Sequence, residues 1–570
     1  MKRKDIMKVL AILMVSVLLS MPFSGCTATK KGNDTTNTST SAAKSTTEKQ
    51  EESSQPDTAN EPAWKKDTSP ITLDWYCNYS WQLSGDAWQK TKVGQYVTEK
   101  TGVSINFIAP AGNETEKLNT MIVSNSLPDL LTGDSTDPLF RKIMESGLAY
   151  SLNELADKYD PYFYKVIDKD VFAWHKAEDG NSYGYANWAY GPESLTRYPN
   201  AIEGTTTFLV RKDIYEAIGS PDMRTQEGFL NALKAAREKY PKINGQPIIP
   251  LGFHDFGDSG CRSIWMGTFF KSLLSEYLAQ PKARDGKITD RLTDPDMVNW
   301  IKTLRDANEM GLISKEVFID KDAQIREKVA QGRYFALMYQ RSDMIAQNTA
   351  LYQTNPDSAY IAIDPPSNTK LDKCTITVGG LQGWCITLIS KKCKNPERAI
   401  KYMTYRLSDE GQRDTYMGKQ GETWDIIDGK EQFLPEINDL LVKDKTTFDN
   451  TIGGVYGAYQ LLNFIKSKTW EAPQVEPNKQ VWDWTLDKTI CEPQFDDLIP
   501  LPSSEEGIID TKISNKWGAV LPKLILAKSA AEFDTLFNQF ITERNAAGYD
   551  KLMAAWQKKY EENKAKLGLK

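Results

Sequence analysis

The chain has 570 residues, of which 40% are hydrophobic and 26% charged, an ordinary globular composition with material for several domains of about 150 residues each. A formal net charge of −6 leaves no basic surplus for nucleic acid, and the two histidines, His175 and His254, exclude a three-histidine zinc site and the HExxH metalloprotease motif. Fifteen tryptophans and 25 tyrosines, by contrast, are a large stock of flat apolar surface.

Lys2, Arg3, Lys4 and Lys8 precede an apolar run from Val9 to Phe23. That run is short of the roughly 20 apolar residues of a membrane span and fits the apolar core of a signal peptide. It ends in Phe23-Ser24-Gly25-Cys26, which resembles the bacterial lipobox, where the chain is cut before the cysteine and the thiol is acylated. Phe23 departs from the Leu, Val or Ile usual at its position. Thr27 to Pro70 is rich in Thr, Ser, Lys, Glu, Asn and Asp and has almost no large apolar side chain before Trp64, too little to offset chain entropy. The expected plan is a signal peptide over 1–25, then a lipidated Cys26 and disordered tether over 26–70. That plan places the folded body on the outer face of a cell membrane of Gram-positive type, with the lipid as its only membrane contact. Six further cysteines show no CxxC spacing; Cys374 and Cys385 could face each other across a hairpin, and buried free thiols are the plainer reading.

From Ile71 short apolar strands alternate with amphipathic helices. Ile71 to Cys77 reads as a strand, Asp86 to Lys100 as a helix, Val103 to Ile108 as a strand, Asn113 to Ser124 as a helix and Leu127 to Thr132 as a buried strand. A second cycle starts with a strand from Thr207 to Arg211 and a helix from Asp213 to Ile218. Thr225 caps a further helix to Tyr240. Tyr334 to Tyr339 and Tyr360 to Asp364 follow as strands. Ile376 to Val378 and Trp384 to Ile389 read as a strand pair around Gly379-Gly380. The glycines at 453, 454 and 457 read as a flexible turn, and Ser529 to Arg544 and Tyr549 to Lys564 as helices. Strands spaced by helices of 10–15 residues argue for a largely parallel α/β sheet.

Seven passages in this order carry a family resemblance: Lys100-Thr101-Gly102-Val103; Ser126-Leu127-Pro128-Asp129-Leu130; Tyr183-Gly184-Tyr185; Leu209-Val210-Arg211-Lys212-Asp213; Asn395-Pro396-Glu397-Arg398-Ala399; Ser408-Asp409-Glu410-Gly411-Gln412; and Gly418 to Trp424. The body from 71 to 565 resembles the large extracellular solute-binding proteins of ABC importers, family 1. The resemblance implies an α/β, two-lobed periplasmic-binding-protein-like fold of type II with a ligand cleft between the lobes. The expected lobes are 71–190 plus 370–428, and 195–365 plus 429–565. Some large relatives carry a calcium loop of alternating Asp and Asn near the stretch that here reads Pro241-Lys242-Ile243-Asn244-Gly245-Gln246-Pro247. It has no carboxylate, so no calcium is expected there.

Motifs for chemistry are sparse. Gly257-Asp258-Ser259-Gly260 reads like a chymotrypsin-type nucleophile segment, but Cys261 stands where a second Gly belongs and the α/β surroundings are wrong. No phosphate-binding glycine loop occurs, no motif singles out a glycosidase acid, and no catalytic residue, metal or cofactor is expected. The aromatic residues remain. Sugars stack apolar faces on Trp and Tyr, and ligands of open α/β sheets sit beyond the carboxyl ends of strands. The residues so placed are Asn78, Tyr79 and Trp81 after the first strand, Asp134 after the third, and Trp188 and Tyr190 at the expected hinge. Trp265, Tyr339 and Arg341 stand in the second lobe, with Trp384, Glu422 and Trp424 completing the set. The resemblance implies capture of an oligosaccharide or other small solute by cleft closure and its delivery to permease subunits, by a monomer that touches no nucleic acid. A cell-surface enzyme acting on glycans and a receptor subunit feeding a sensor kinase are the rival readings.

Overall fold

A computed structural model of the chain describes residues 61–569 apart from 83, 199–201, 203, 255, 257–269, 454 and 472. Cys26, Trp265 and the Gly257 to Cys261 segment lie outside the described residues. In chain order the principal strands are β1 (Ile71–Cys77), β2 (Val103–Ile108), β3 (Leu130–Asp134), β4 (Gly184–Ala186), β5 (Thr206–Arg211), β6 (Ile249–Phe253), β7 (Tyr334–Gln340), β8 (Tyr360–Ala362), β9 (Ile376–Thr377), β10 (Cys385–Ile389) and β11 (Thr489–Ile490). Nine of them form two main sheets, one per lobe, with orders β2-β1-β3-β10-β4 and β8-β5-β7-β6, and β9 pairs with β11, all inside one compact unit, Asp57–Lys570. In the first sheet β1 runs parallel to β2 and β3, while β10 is antiparallel to both β3 and β4. Such sheets bury both faces, and Trp75, Tyr76 and Cys77 at the end of β1 are all buried.

The motifs that carry the family resemblance are structural punctuation. Thr91 caps the helix Lys92–Thr101 by accepting from the Gly94 N–H at 3.0 Å, and Gly102 ends it at φ 69°. A Cβ on Gly102 would lie 2.1 Å from the Thr68 carbonyl, so glycine is demanded twice over. Asp129 accepts from the backbone of Asp74 at 2.9 Å and of Lys394 at 3.0 Å, tying β1 to the entry of the helix Pro396–Leu407. Asn395 and Ser408 cap successive helices through the N–H groups of Arg398 and Gly411.

The chain crosses between the lobes three times: after β4, after β8, and around the helix Asn478–Leu486. One apolar cluster holds all three crossings: Tyr190 and Ile202 from the first, Ile376 and Val378 from the second, and Phe464 from the third, with Trp188 and Trp484 packed against it. β9 and β11 pair in parallel within this hinge. This corrects the expected pairing of Ile376–Val378 with Trp384–Ile389: β9 joins β11, and β10 inserts into the first sheet. Gly379, at φ 39°, makes the separation, with the Tyr190 ring 2.2 Å from where its Cβ would be.

Two segments side differently from the sequence expectation. Phe433, Ile437, Phe448, Ile452, Leu461 and Trp470 belong to the first lobe's core, so the residues around 433–470 pack there and not with the second lobe. Trp64 is buried in the same core against Tyr162 and Tyr405, so the folded body starts before residue 71. The expected turn at the glycines near 453 is helical, with Asp449–Gly453 and Val455–Ala458 in helix. The second lobe's core is closed by the helices Glu505–Ile525, Ala530–Ala546 and Tyr549–Lys566. Lys242–Ile243 and Gln246–Pro247 pair around an Asn244-Gly245 turn. Among the described residues no helix is long and apolar enough to cross a membrane.

Candidate ligand-binding cleft

The carboxyl ends of β1, β3 and β4 and the start of β10 converge on one edge of the first sheet, the edge from which the chain departs into the hinge. Aromatic rings gather there. Tyr79 lies 5.3 Å from Trp81 and 5.4 Å from Trp384. Trp81 and Trp384 are stacked at 6.3 Å with only 15° between their planes. Tyr459 backs the group, 5.0 Å from Trp81 and 5.9 Å from Trp384. Trp81 is 46% exposed and Trp384 37%, whereas the rings around them are half-buried or buried. Two parallel indoles held open to water on a rigid aromatic base form a platform for a flat apolar ligand face.

Hydrogen bonds fix this platform from below. The Asn78 amide accepts from the Tyr76 hydroxyl at 2.6 Å and donates to Asp137 at 3.2 Å, pinning the turn that carries Tyr79 and Trp81. Asn78, buried, thus supports the turn from below. The Tyr79 hydroxyl lies 3.0 Å from the Cys385 thiol, and burial raises the pKa of both groups. Asn187 accepts from the Cys385 N–H at 2.8 Å, donates to the Tyr459 carbonyl and takes the Trp384 N–H on its own carbonyl at 3.1 Å. Neither Asn187 nor Tyr459 is visible as a site residue from the sequence. Asn187 sits between a strand and a tryptophan like any polar filler, and Tyr459 is nearly 400 residues from Tyr79.

Trp188 joins platform to hinge. Its ring lies 6.0 Å from Trp384, edge-on, and 4.3 Å from Phe464. Its backbone has φ 52°, a conformation that a bulky residue adopts only under tertiary constraint, and its indole N–H is buried without an acceptor among the described residues. Tyr190 is buried within the hinge cluster, stacked on Phe464 at 5.9 Å. Asp134 ends β3 one position from Trp384 in register; its Oδ1 accepts from the N–H and hydroxyl of Thr136. Asp137 accepts from the Leu139 N–H at 2.8 Å, and burial lifts its carboxyl above the usual range, with Asp134 adding to the effect.

In the second lobe, His254 and Tyr339 follow or end the parallel strands β6 and β7 on the hinge side. Their rings stack at 5.0 Å; His254 meets Asp343 at 3.1 Å, and the Tyr339 hydroxyl donates to Asp322 at 3.3 Å. Arg341 donates to the Gly204 carbonyl at 3.1 Å and lies 4.8 Å over the Trp482 ring, which makes it part of the hinge wall. Trp424 and Glu422 stand apart from the platform. Trp424 is buried in the first lobe's core, donating to the Gly418 carbonyl under the Arg413 guanidinium, and exposed Glu422 pairs with Lys419 at 2.6 Å. The tight turn at Gly421 directs the indole inward, so the expected ligand role fails for both.

The profile of the bacterial extracellular solute-binding protein family matches residues 80–413, more than half of the chain. The chain belongs to this family. Among curated relatives of this solute-binding protein is the fructooligosaccharide ABC transporter substrate-binding protein FusA of Streptococcus pneumoniae, 25% identical over 229 residues, 39% of this chain and 41% of FusA. An uncharacterised protein from Niallia circulans is 34% identical over 134 residues, 23% of this chain and 51% of that protein. The alignments therefore span about half of these relatives or less. Among solved structures, alginate-binding protein AlgQ2 without calcium superposes with a TM-score of 0.64 at 18% identity, covering 88% of this chain and all of AlgQ2. FusA in complex with kestose gives 0.64 at 18%, covering 87% and 100%. These likenesses establish the two-lobed fold for the solute-binding protein described here. Among its described residues no three His, Cys, Asp or Glu side chains gather in a metal-binding arrangement.

Proposed function

We propose that this solute-binding protein is the lipid-anchored, extracellular receptor of an ABC importer and that its solute is an oligosaccharide. The stacked, open pair Trp81 and Trp384 carries the reading, because paired parallel indoles suit the apolar faces of successive sugar rings. FusA and AlgQ2, whose names record a fructooligosaccharide and alginate, lend support from proteins of the same fold. In this reading the monomer is held at the membrane through Cys26, closes its lobes at the three crossings around the glycan, and presents the closed form to the permease.

No reaction is part of the reading. Asp134 and Asp137 are two carboxylates beside the platform, the kind of pair a glycosidase needs. Both oxygens of Asp137 are taken by N–H donors, the Leu139 backbone and the Asn78 amide, which suits a support and not a proton donor.

Thermal melting against a panel of oligosaccharides, monosaccharides and peptides tests the proposal. A ligand at 100 times its Kd adds about 2.7 kcal/mol to native stability. The expected result is a shift with one glycan class and recovery of that glycan intact. A shift with peptides alone would overturn the carbohydrate assignment, and cleavage of the glycan would overturn the receptor role.

A further inference from the structure

Building on the oligosaccharide reading, we infer that the glycan this cleft takes is uncharged, free of uronate, sulfate or phosphate groups. The charge surrounding the platform carries the inference. Asp134 stands one register position from Trp384, and no described cation forms an ion pair with it or with Asp137. Arg141 is in Coulombic reach of Asp134, but the hydrogen bonds of Arg141 and Arg406 go to other groups. Arg141 binds Asp497 and the Ile499 carbonyl, and Arg406 lies under the Trp75 ring with its donors on the Gly457 and Ala458 carbonyls. On the second lobe's hinge-side edge, Arg326 serves two carboxylates, Asp322 at 2.7 Å and Asp343 at 3.7 Å.

The platform edge thus carries Asp134 and Asp137 with no described cation ion-paired to either, while across the cleft Asp322 and Asp343 are balanced by Arg326, His254 and the hinge-wall Arg341. An anionic sugar closed against the platform edge would bring a further negative charge into a space where water screens poorly, and repulsion there rejects it. Sugar hydroxyls, in contrast, are donors that carboxylate oxygens accept in short charge-assisted hydrogen bonds. Asp134 has its Oδ1 occupied by Thr136, and its second oxygen is the acceptor the platform offers to such a hydroxyl.

Calorimetric titration of the full chain tests this with two matched sets, neutral malto-, fructo- and galacto-oligosaccharides against oligogalacturonates and alginate oligomers, at low salt. The expected outcome is binding of at least one neutral series with every acidic series about tenfold or more weaker, and a narrower gap in Asp134→Asn. An acidic oligomer bound as tightly as the best neutral one would overturn the inference while leaving the oligosaccharide reading in place. A gap unmoved by Asp134→Asn would overturn the assignment of Asp134 as its source. Absence of heat with both sets, together with a melting shift from peptides, would overturn the oligosaccharide reading and this inference with it.

Discussion

Trp81 and Trp384 leave apolar surface in water that a core position would have hidden, while Tyr79 and Tyr459 beside them are held by Cys385 and Asn187. Removing an exposed indole costs the free protein little but removes the ligand's stacking partner. Trp81→Ala and Trp384→Ala should each weaken glycan binding by about 10- to 100-fold while destabilising the free protein by only about 1–2 kcal/mol, well short of the roughly 3–5 kcal/mol of a buried Trp. A large drop in melting without loss of binding would place these rings in the core. Tyr79, Trp81, Trp188 and Trp384, each singled out from its place beside a legible strand or hinge, are brought together by the fold at one sheet edge. Trp424 differs from its expected place because a turn looks the same in sequence whether its indole points in or out. Tyr459 left no trace, since its proximity to Trp81 is a product of the long path through 390–460.

At the scale of elements, the family-like motifs are caps and close approaches, and their effect is on stability. Gly102 is required by its left-handed backbone and by the Thr68 carbonyl where a Cβ would stand. Gly102→Ala should lower stability by roughly 2 kcal/mol or more, the left-handed penalty plus the displacement of Thr68, as read by denaturant unfolding. An unchanged midpoint would show that the 68–70 segment simply moves aside. The strand Ile376–Thr377 shows how far local pattern reaches: apolar alternation identifies a strand, but its partner, β11, lies 113 residues on and cannot be read from spacing.

At the scale of the molecule, two titratable groups from different parts of the chain, Asp496 and His175, meet the backbone of Gln382 on the segment that crosses between the lobes after β8. Asp496 accepts from the Gln382 N–H at 3.2 Å, and burial pushes its carboxyl up to about 7. His175 contacts the Gln382 carbonyl at 3.0 Å, and burial pulls its pKa down to about 4. A carboxyl raised above its unfolded value favours the folded state at low pH and loses that contribution as pH rises towards 7. A histidine depressed below its unfolded value loses its contribution as pH falls from 6.5 towards 4. The two act in the same window with opposite sign. Asp496→Asn should therefore be stabilised relative to the parent increasingly as pH rises from 4.5 to 8, by up to about 4 kcal/mol. Melting curves across that range check it; a difference independent of pH would show that Asp496 does not change its protonation there.

What the sequence by itself determined is the α/β character, the order of strands and helices, the caps, and an aromatic-rich, chemistry-poor make-up. These follow from periodicities of two and 3.6 residues and from side chains that act on their own backbone, all of them local. The tertiary structure alone decided which strands share a sheet, which lobe the residues around 433–470 join, and which aromatics stand together in water. Those outcomes depend on packing between segments hundreds of residues apart, where the same apolar side chain serves equally well as core or as binding surface until its neighbours are in place.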